Sequence, residues 1–457
     1  MNINRFFSNS KNLMKLAYPI LIAQLIQNLM GFADTVMAGR VSATDMAAVA
    51  VASSVWLPLI LAISGLIMAL ASIISQLSGA NQFDNIAKAS YQTAWIAVFF
   101  SIIIIILYYI ATPLLIDSIA MEPELKQLMF DYLGYIVWGG PGYCLYLVLR
   151  NYSEGLSFSR PTMIISILGL LINIPANYIF IYGEFGMPAL GGAGCGLATA
   201  IVYWVMFVGM LAYAYYSKHL KQAPLFTQFY WPQWSEIKVI LGLGTPIAFS
   251  LLFEVSLFAA VAIILIPFGA NVVASHQIAI NFSGLVFMVP LSLAMAVTIK
   301  VGFEVGNKNL EKAKELCRYS VILGLIIAVA TAAATLIFKT QIAAIYTSDT
   351  EVLELAAGLM FLAALFQFSD AIQVISAGAL RGYKDTQSVL YITFFSYWII
   401  GLSVGLILGL TNWIAPASGP YGFWIGFISG LTVAAILLAW RLKVIQNRFD
   451  QKAALAS

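Results

Sequence analysis

Charge is what this sequence has least of. Only 9% of its 457 residues are Asp, Glu, Lys or Arg, whereas a typical soluble domain carries about a quarter. With 61% apolar residues the chain cannot clothe itself in a solvated surface, so it belongs in a bilayer. A net charge of only +3 gives no footing for nucleic acid, and none is expected as a partner. Cysteine is nearly absent: Cys144, Cys195 and Cys317 form no CxxC and no metal spacing, which argues against a disulfide framework and a zinc site. The two histidines, His219 and His276, have no metal-ligand company, and no phosphate-binding loop for ATP is present. No nucleophile, base and metal set converges, so an enzyme is not expected. "GLSVG" at Gly401 satisfies the nucleophile-elbow pattern but lies within an apolar run instead of a strand-to-helix turn. With Gly409, and with Gly422, Gly426 and Gly430, its every-fourth glycines read as close helix packing.

What the sequence has in abundance is long apolar windows. Twelve are long enough for a hydrocarbon core of about 30 Å. They run approximately over residues 13–38, 47–76, 90–111, 128–149, 161–182, 192–216, 238–266, 272–300, 317–338, 352–379, 388–411 and 420–440. The basic start "MNINRFFSNSK" leads straight into the first window, which reads as an uncleaved first helix. All but three of the 23 Lys and Arg residues fall in loops on one side, the exceptions being Arg40, Lys126 and Lys339. By the positive-inside rule both termini are cytoplasmic, as an even number of spans requires.

The sequence also repeats. Pro19 to Gly79 aligns without a gap on Pro246 to Gly306, with eleven identities. "SGANQFDNIAKA" and "VGNKNLEKAKE" close the two blocks, "LRNYS" at Leu149 recurs as "LRGYK" at Leu380, and Gly191 and Gly194 recur as Gly419 and Gly422. The expected organisation is an all-α polytopic membrane protein of two pseudo-symmetric six-helix bundles: a first lobe over 1–220, a cytoplasmic linker over 221–237 and a second lobe over 238–457. Six spans per half make the repeats parallel, an arrangement in which substrate sites lie where two halves meet.

Against this apolar background three carboxylates fall well inside spans: Asp34, Glu254 and Asp370. Each costs roughly 2.5–3.5 kcal/mol at a bilayer centre on insertion scales, so such residues usually face a polar interior and mark an ion pathway. No Lys or Arg is expected deep in any span, leaving these carboxylates to a mobile cation, a proton or a cationic substrate. Asp34 lies about 20 residues along the first helix at ~1.5 Å per residue, placing it in the outer half of the membrane. Asn173 and Asn177 share a helix face around Pro175, and with Thr199 they offer the hard oxygen donors that suit Na⁺. Interhelical hydrogen bonding accounts for such amides equally well. In the second half Gln277 and Asn281 are four apart, and Gln367, Asp370 and Gln373 cluster in one span. Gln27 occupies the position of Glu254 in the repeat, and Phe253, Phe287 and Phe366 could line a cavity for organic cations.

"GFADTVMAGR", "NIPANYIFIYG", "GGAGCGLATA", "LLFEVSLFA" and "AGALRGYKD" resemble the multidrug and toxic compound extrusion family, in its bacterial NorM-type branch, over nearly the whole chain. The resemblance implies twelve helices in two lobes around a central cleft, in the bacterial inner membrane. It also implies export of hydrophobic, mostly cationic drugs and dyes in exchange for Na⁺ or H⁺, with no other cofactor. Small organic cations and membrane lipid are then the expected partners, and a monomer the expected state. By resemblance Asp34, Asn173, Asn177 and Thr199 form a first-lobe cation site, and Glu254 and Asp370 a second-lobe one. Gln27, Gln277, Asn281, Phe287, Phe366 and Gln367 are the candidates for a substrate cavity. Some relatives carry a tyrosine where Phe287 stands, so here a cation–π contact is kept and an oxygen ligand lost. A flippase for a phosphate-bearing lipid precursor is the alternative, and would need deep Arg or Lys for the phosphate.

Overall fold

Backbone amides in hydrocarbon must be satisfied within their own segment, and the apolar windows fold accordingly. The computed structural model describes residues 3–118 and 122–456, with side chains over 3–110 and 122–451. Among the described residues the chain is helical throughout, with no strand. In chain order the helices are α1 Ile3–Gly39, α2 Ala43–Gly79, α3 Asp84–Ser118, α4 over 123–155, α5 Arg160–Tyr182, α6 Ala193–Tyr216, α7 Trp234–Ile264, α8 Ala270–Gly306, α9 Leu310–Tyr346, α10 Thr350–Gly382, α11 Thr386–Leu410 and α12 Pro420–Ala456. Eleven are long and apolar enough to cross a membrane. The twelfth, α4, is broken by a 3₁₀ turn at Val137–Gly139 into pieces of 14 and 16 residues, each short of a span. Its second piece opens on "GPG", where Pro141 needs no amide partner. Pro175, by contrast, leaves α5 unbroken over 23 residues.

Two compact units emerge from the packing: Tyr18–Ala248, and Phe249–Ser457 together with Met1–Ala17. The first is built on Trp56, Ile67, Ile74, Tyr146 and Tyr152, the second on Phe366, Tyr397, Phe423, Trp424 and Phe427. In the second, Phe6 of α1 rests edge-on against Tyr319 of α9, with ring centroids 5.5 Å apart. The segment 221–237 is held within the first unit. Gln92 of α3, fully buried, donates to the Trp231 carbonyl at 2.9 Å and accepts from the Gln233 amide at 2.8 Å. Trp95 donates to the Tyr230 carbonyl, and Lys88 pairs with Glu236 at 2.8 Å.

The repeat reaches down to individual backbone bonds. After α2 the amides of Asn81 and Gln82 close on Ser78 and Leu77, and after α8 those of Lys308 and Asn309 close on Val305 and Glu304. After α4 Ser157 and Phe158 close on Glu154 and Ser153, and after α10 Lys384 and Asp385 close on Arg381 and Leu380. Each is a Schellman-type ending with one left-handed residue, here Asn81, Ser157, Lys308 and Lys384, at φ between 56° and 69°. Ahead of α6 and α12 the pattern repeats again: Leu190 and Gly191 donate to Phe180 and Ile181, Ser418 and Gly419 to Leu408 and Gly409. Gly191 and Gly419 stand at φ +58° and +56°, where a side chain is disfavoured.

Candidate cation sites in the two helical units

The turn between α1 and α2 begins the first site. Ser42 caps α2 by accepting from the Asp45 amide at 2.9 Å, and the Asp45 carboxylate accepts from the Gly192 amide, which ties the start of α6 to this turn. Tyr182 of α5 donates to the Met37 carbonyl of α1 at 3.2 Å. These anchors bring α1, α5 and α6 together around Asp34, which is only 4% exposed. Asn173 and Asn177 donate from their side-chain nitrogens to Asp34 Oδ1, at 3.1 Å and 2.6 Å. Thr199 donates to Oδ2 at 2.9 Å, and the Cys195 thiol donates to the Asp34 backbone carbonyl at 3.4 Å. The four residues predicted to form one site therefore form one cluster. Among the described residues, every hydrogen bond to the carboxylate comes from a neutral group. Asn177 also donates to Asn173 Oδ1 at 3.2 Å, while its own Oδ1 is buried without a partner, an acceptor surplus that suits a cation.

Within the second unit, a narrow cavity is walled by Phe287, Pro290, Thr331, Phe366, Gln367 and Asp370, among others. Gln367 donates to Thr335 Oγ1 at 3.0 Å, and its Oε1 and Asp370 Oδ1 are both buried and unpartnered. Glu254 lines a second narrow cavity with Leu257, Phe258, Tyr397, Phe427 and Leu431. The two carboxylates line different cavities. Trp398 of α11 donates to the Phe253 carbonyl at 3.2 Å, fixing the α7 backbone next to Glu254. The α11 helix is π-helical over Phe395–Gly401, the stretch that carries Tyr397 to Glu254.

Other candidates stand apart from that cavity. Gln277 and Asn281 bond to each other at 3.2 Å on an exposed face of α8. Gln27 lies in the first unit, where it accepts from Tyr143 at 3.5 Å. Gln373 is buried, its Oε1 unpartnered. Two arginines near helix ends are nonetheless buried within the protein. Arg150 and Arg381 are 5% and 6% exposed, because α4 and α10 run on past the windows drawn for them, to Gly155 and Gly382. Arg150 pairs with the fully buried Glu154 at 2.8 Å. Sequence reading also passed over Tyr397, whose buried hydroxyl has no partner.

Comparison with known proteins agrees with this architecture. The MatE family model matches twice, over residues 19–179 and 246–407, beginning at the two repeat-related prolines. The chain is 50% identical over 438 residues to the probable multidrug resistance protein NorM of Shewanella oneidensis, covering 96% of this chain and 95% of that one. It is 49% identical over 449 residues to the multidrug resistance protein MdtK of Photorhabdus laumondii, covering 98% of each. Among solved structures, an outward-facing multidrug resistance MATE family transporter superposes with a TM-score of 0.87 at 21% identity, covering 97% of each chain. A eukaryotic MATE transporter does so with a TM-score of 0.84 at 18% identity, covering 98% of this chain and 99% of that one. With its family model matched in both halves and relatives half identical along nearly its entire length, the chain belongs to the MatE family of multidrug and toxic compound extrusion transporters.

Proposed function

We propose that this transporter exports hydrophobic organic cations across the bacterial inner membrane in exchange for Na⁺, as a monomer with both termini in the cytoplasm. The observation that carries the reading is Asp34: a buried carboxylate whose hydrogen-bond partners are all neutral. Moving such a charge through closure against lipid is unfavourable, so the protein changes state readily only when a cation neutralises it. With the side-chain amides of Asn173 and Asn177 turned over, their carbonyl oxygens join Asp34 and Thr199 as a hard-oxygen set for Na⁺. In the other unit Glu254 and Asp370 form the second cation site, and Phe287, Phe366 and Gln367 form an aromatic and amide wall on which a drug cation can rest. Occupancy of the carboxylates by Na⁺ and by drug is mutually exclusive, which couples the two movements. The names of the NorM and MdtK relatives support drug efflux, and a family of transporters carries no expectation of enzymatic turnover. The alternative, a flippase for a phosphate-bearing lipid-linked precursor, needs a free deep Arg or Lys for the phosphate, and buried Arg150 is already paired with Glu154.

The test is ethidium efflux from proteoliposomes under an imposed Na⁺ gradient and, separately, an imposed pH gradient. The Na⁺ gradient should drive efflux, and Asp34→Asn, shown to be inserted and folded, should abolish it. Efflux under the pH gradient alone would replace Na⁺ by H⁺, and normal efflux by Asp34→Asn would remove Asp34 from the mechanism.

A further inference from the structure

Pro290 stands inside α8 with no amide to give, so the Val286 carbonyl four residues back loses its ordinary intrahelical partner. Val286 and Pro290 both line the narrow cavity that Gln367 and Asp370 line from α10, and Ser283, three residues before Val286, lines it too. Among the described residues, Ser283 Oγ, Gln367 Oε1 and Asp370 Oδ1 are each buried without a hydrogen-bond partner. The orientation of Gln367 is fixed by its neighbour on α9. Thr335 gives its proton to the Thr331 carbonyl at 2.8 Å, so its oxygen can only accept, and it accepts from the Gln367 side-chain amide at 3.0 Å. The nitrogen of that amide is thereby committed to Thr335, and its carbonyl oxygen is left over. The cavity has room for one sphere the size of a water molecule, about 10 Å³.

We infer that these oxygens form the coordination shell of one dehydrated Na⁺ ion, with Ser283 Oγ, the Val286 carbonyl and Gln367 Oε1 as its ligands beside Asp370. The inference rests on the reading of Asp370 as a cation site and names what else holds the ion there. Oxygen donors with a single carboxylate suit a small alkali cation, and no lining residue offers the imidazole or sulfur that would favour a transition metal. One carboxylate and one monovalent cation leave the cavity neutral, as closure against lipid requires. A water molecule would serve less well, because it brings two protons to three oxygens that can only accept. Glu254 lines a separate cavity and is not among the ligands. A drug cation resting on Phe287 and Phe366 has to widen this cavity and draw the oxygens apart, so ion and drug exclude one another by shape as well as by charge.

The experiment measures binding of radiolabelled Na⁺ to the purified full chain in detergent, in an Asp34→Asn background that takes away the carboxylate of the first unit. Adding Asp370→Asn tests the underlying site and should abolish the remaining binding; if binding persists, the reading of Asp370 fails and the inference with it. Ser283→Ala and Gln367→Leu should each weaken Na⁺ binding about tenfold, the order of one lost contact to a charged group. Pro290→Ala is the discriminating change, because it returns an amide to the Val286 carbonyl. Na⁺ binding should then weaken about tenfold while the unfolding temperature measured without Na⁺ holds or rises, alanine being the better residue within a helix. A fall in both would reflect lost packing and overturn the part given to the Val286 carbonyl. Unchanged affinity in Ser283→Ala, Gln367→Leu and Pro290→Ala, with binding lost in Asp370→Asn, would overturn the inference, leave Asp370 as a cation site and assign the other oxygens to a water molecule only.

Discussion

Thr199 shows how finely the first site is tuned. Its hydroxyl donates to Asp34 Oδ2 at 2.9 Å and keeps lone pairs free, so a Na⁺ ion held at Oδ2 would meet the Thr199 oxygen as well. Thr199→Val keeps the shape and removes that oxygen. A hydrogen bond to a charged group is worth about 1.5–3 kcal/mol, so the Na⁺ concentration for half-maximal dye efflux should rise about tenfold, with the rate at saturating Na⁺ little changed. Thr199→Ser should behave as wild type, and an unshifted half-saturation in the valine variant would take Thr199 out of the site. Much of this cluster was legible in the sequence, because a carboxylate within an apolar span and two amides four residues apart are rare and have few places to go. The same i, i+4 reasoning gave Gln277 and Asn281, which do share a face, but an exposed one. Spacing says which residues lie side by side and not which way they look. Arg381 was hidden for a different reason: counting it with the cytoplasmic charges assigned it a side of the membrane and left its burial unasked.

At the level of elements, the second half gives up at α11 what the first half uses at α5. The backbone pattern shared by Gly191 and Gly419 makes Gly401 and Gly405 the sequence counterparts of Asn173 and Asn177. In place of polar ligands, α11 offers a smooth face against Gly422, Gly426 and Gly430 of α12. A Cβ on Gly426 would fall within 2.7 Å of the Gly405 backbone, which cannot retreat as a flexible side chain could. Gly426→Ala should therefore cost about 1–3 kcal/mol, seen as a lower unfolding temperature in detergent. Gly242→Ala, which would meet nothing within 4 Å, should be neutral or slightly stabilising, since alanine is the better helix former. Equal behaviour of the two variants would refute the packing account. The glycine spacing announced this contact from the sequence. The π-helical stretch Phe395–Gly401 did not announce itself, because a bulged turn contains the same residues as an ordinary one and arises from what packs against it.

Across the whole molecule, the chain's halves by sequence are not its units by packing. The segment 221–237, expected as a cytoplasmic linker, lies along α3, and the first unit continues to Ala248, inside α7. Residues 1–17, at the other end of the chain, pack with the second unit. Each half by sequence thus lends the start of its first helix to the other unit. A periodic hydropathy pattern shows helices and their order but not which neighbours they choose, so this exchange was not readable beforehand. It carries a physical consequence. Thr227 and Gln228 are exposed, and a protease site placed between them would divide the chain into 1–227 and 228–457. The second fragment would keep Trp231 and Gln233 hydrogen-bonded to Gln92, Glu236 paired with Lys88, and the buried start of α7, all on the first unit. The first fragment would keep Phe6 packed against Tyr319 in the second unit. After cleavage in mild detergent the two fragments should co-elute as one species on gel filtration. Replacing Gln92 by Ala removes both of its backbone hydrogen bonds, at about 0.5–1.5 kcal/mol each, and should lower the temperature at which the nicked protein falls apart more than that of the intact chain, whose covalent link still holds the segment near. Separation of the fragments under conditions where the intact protein stays folded would show that the linker alone joins the halves, and that the exchanged helix ends contribute nothing to holding the molecule together.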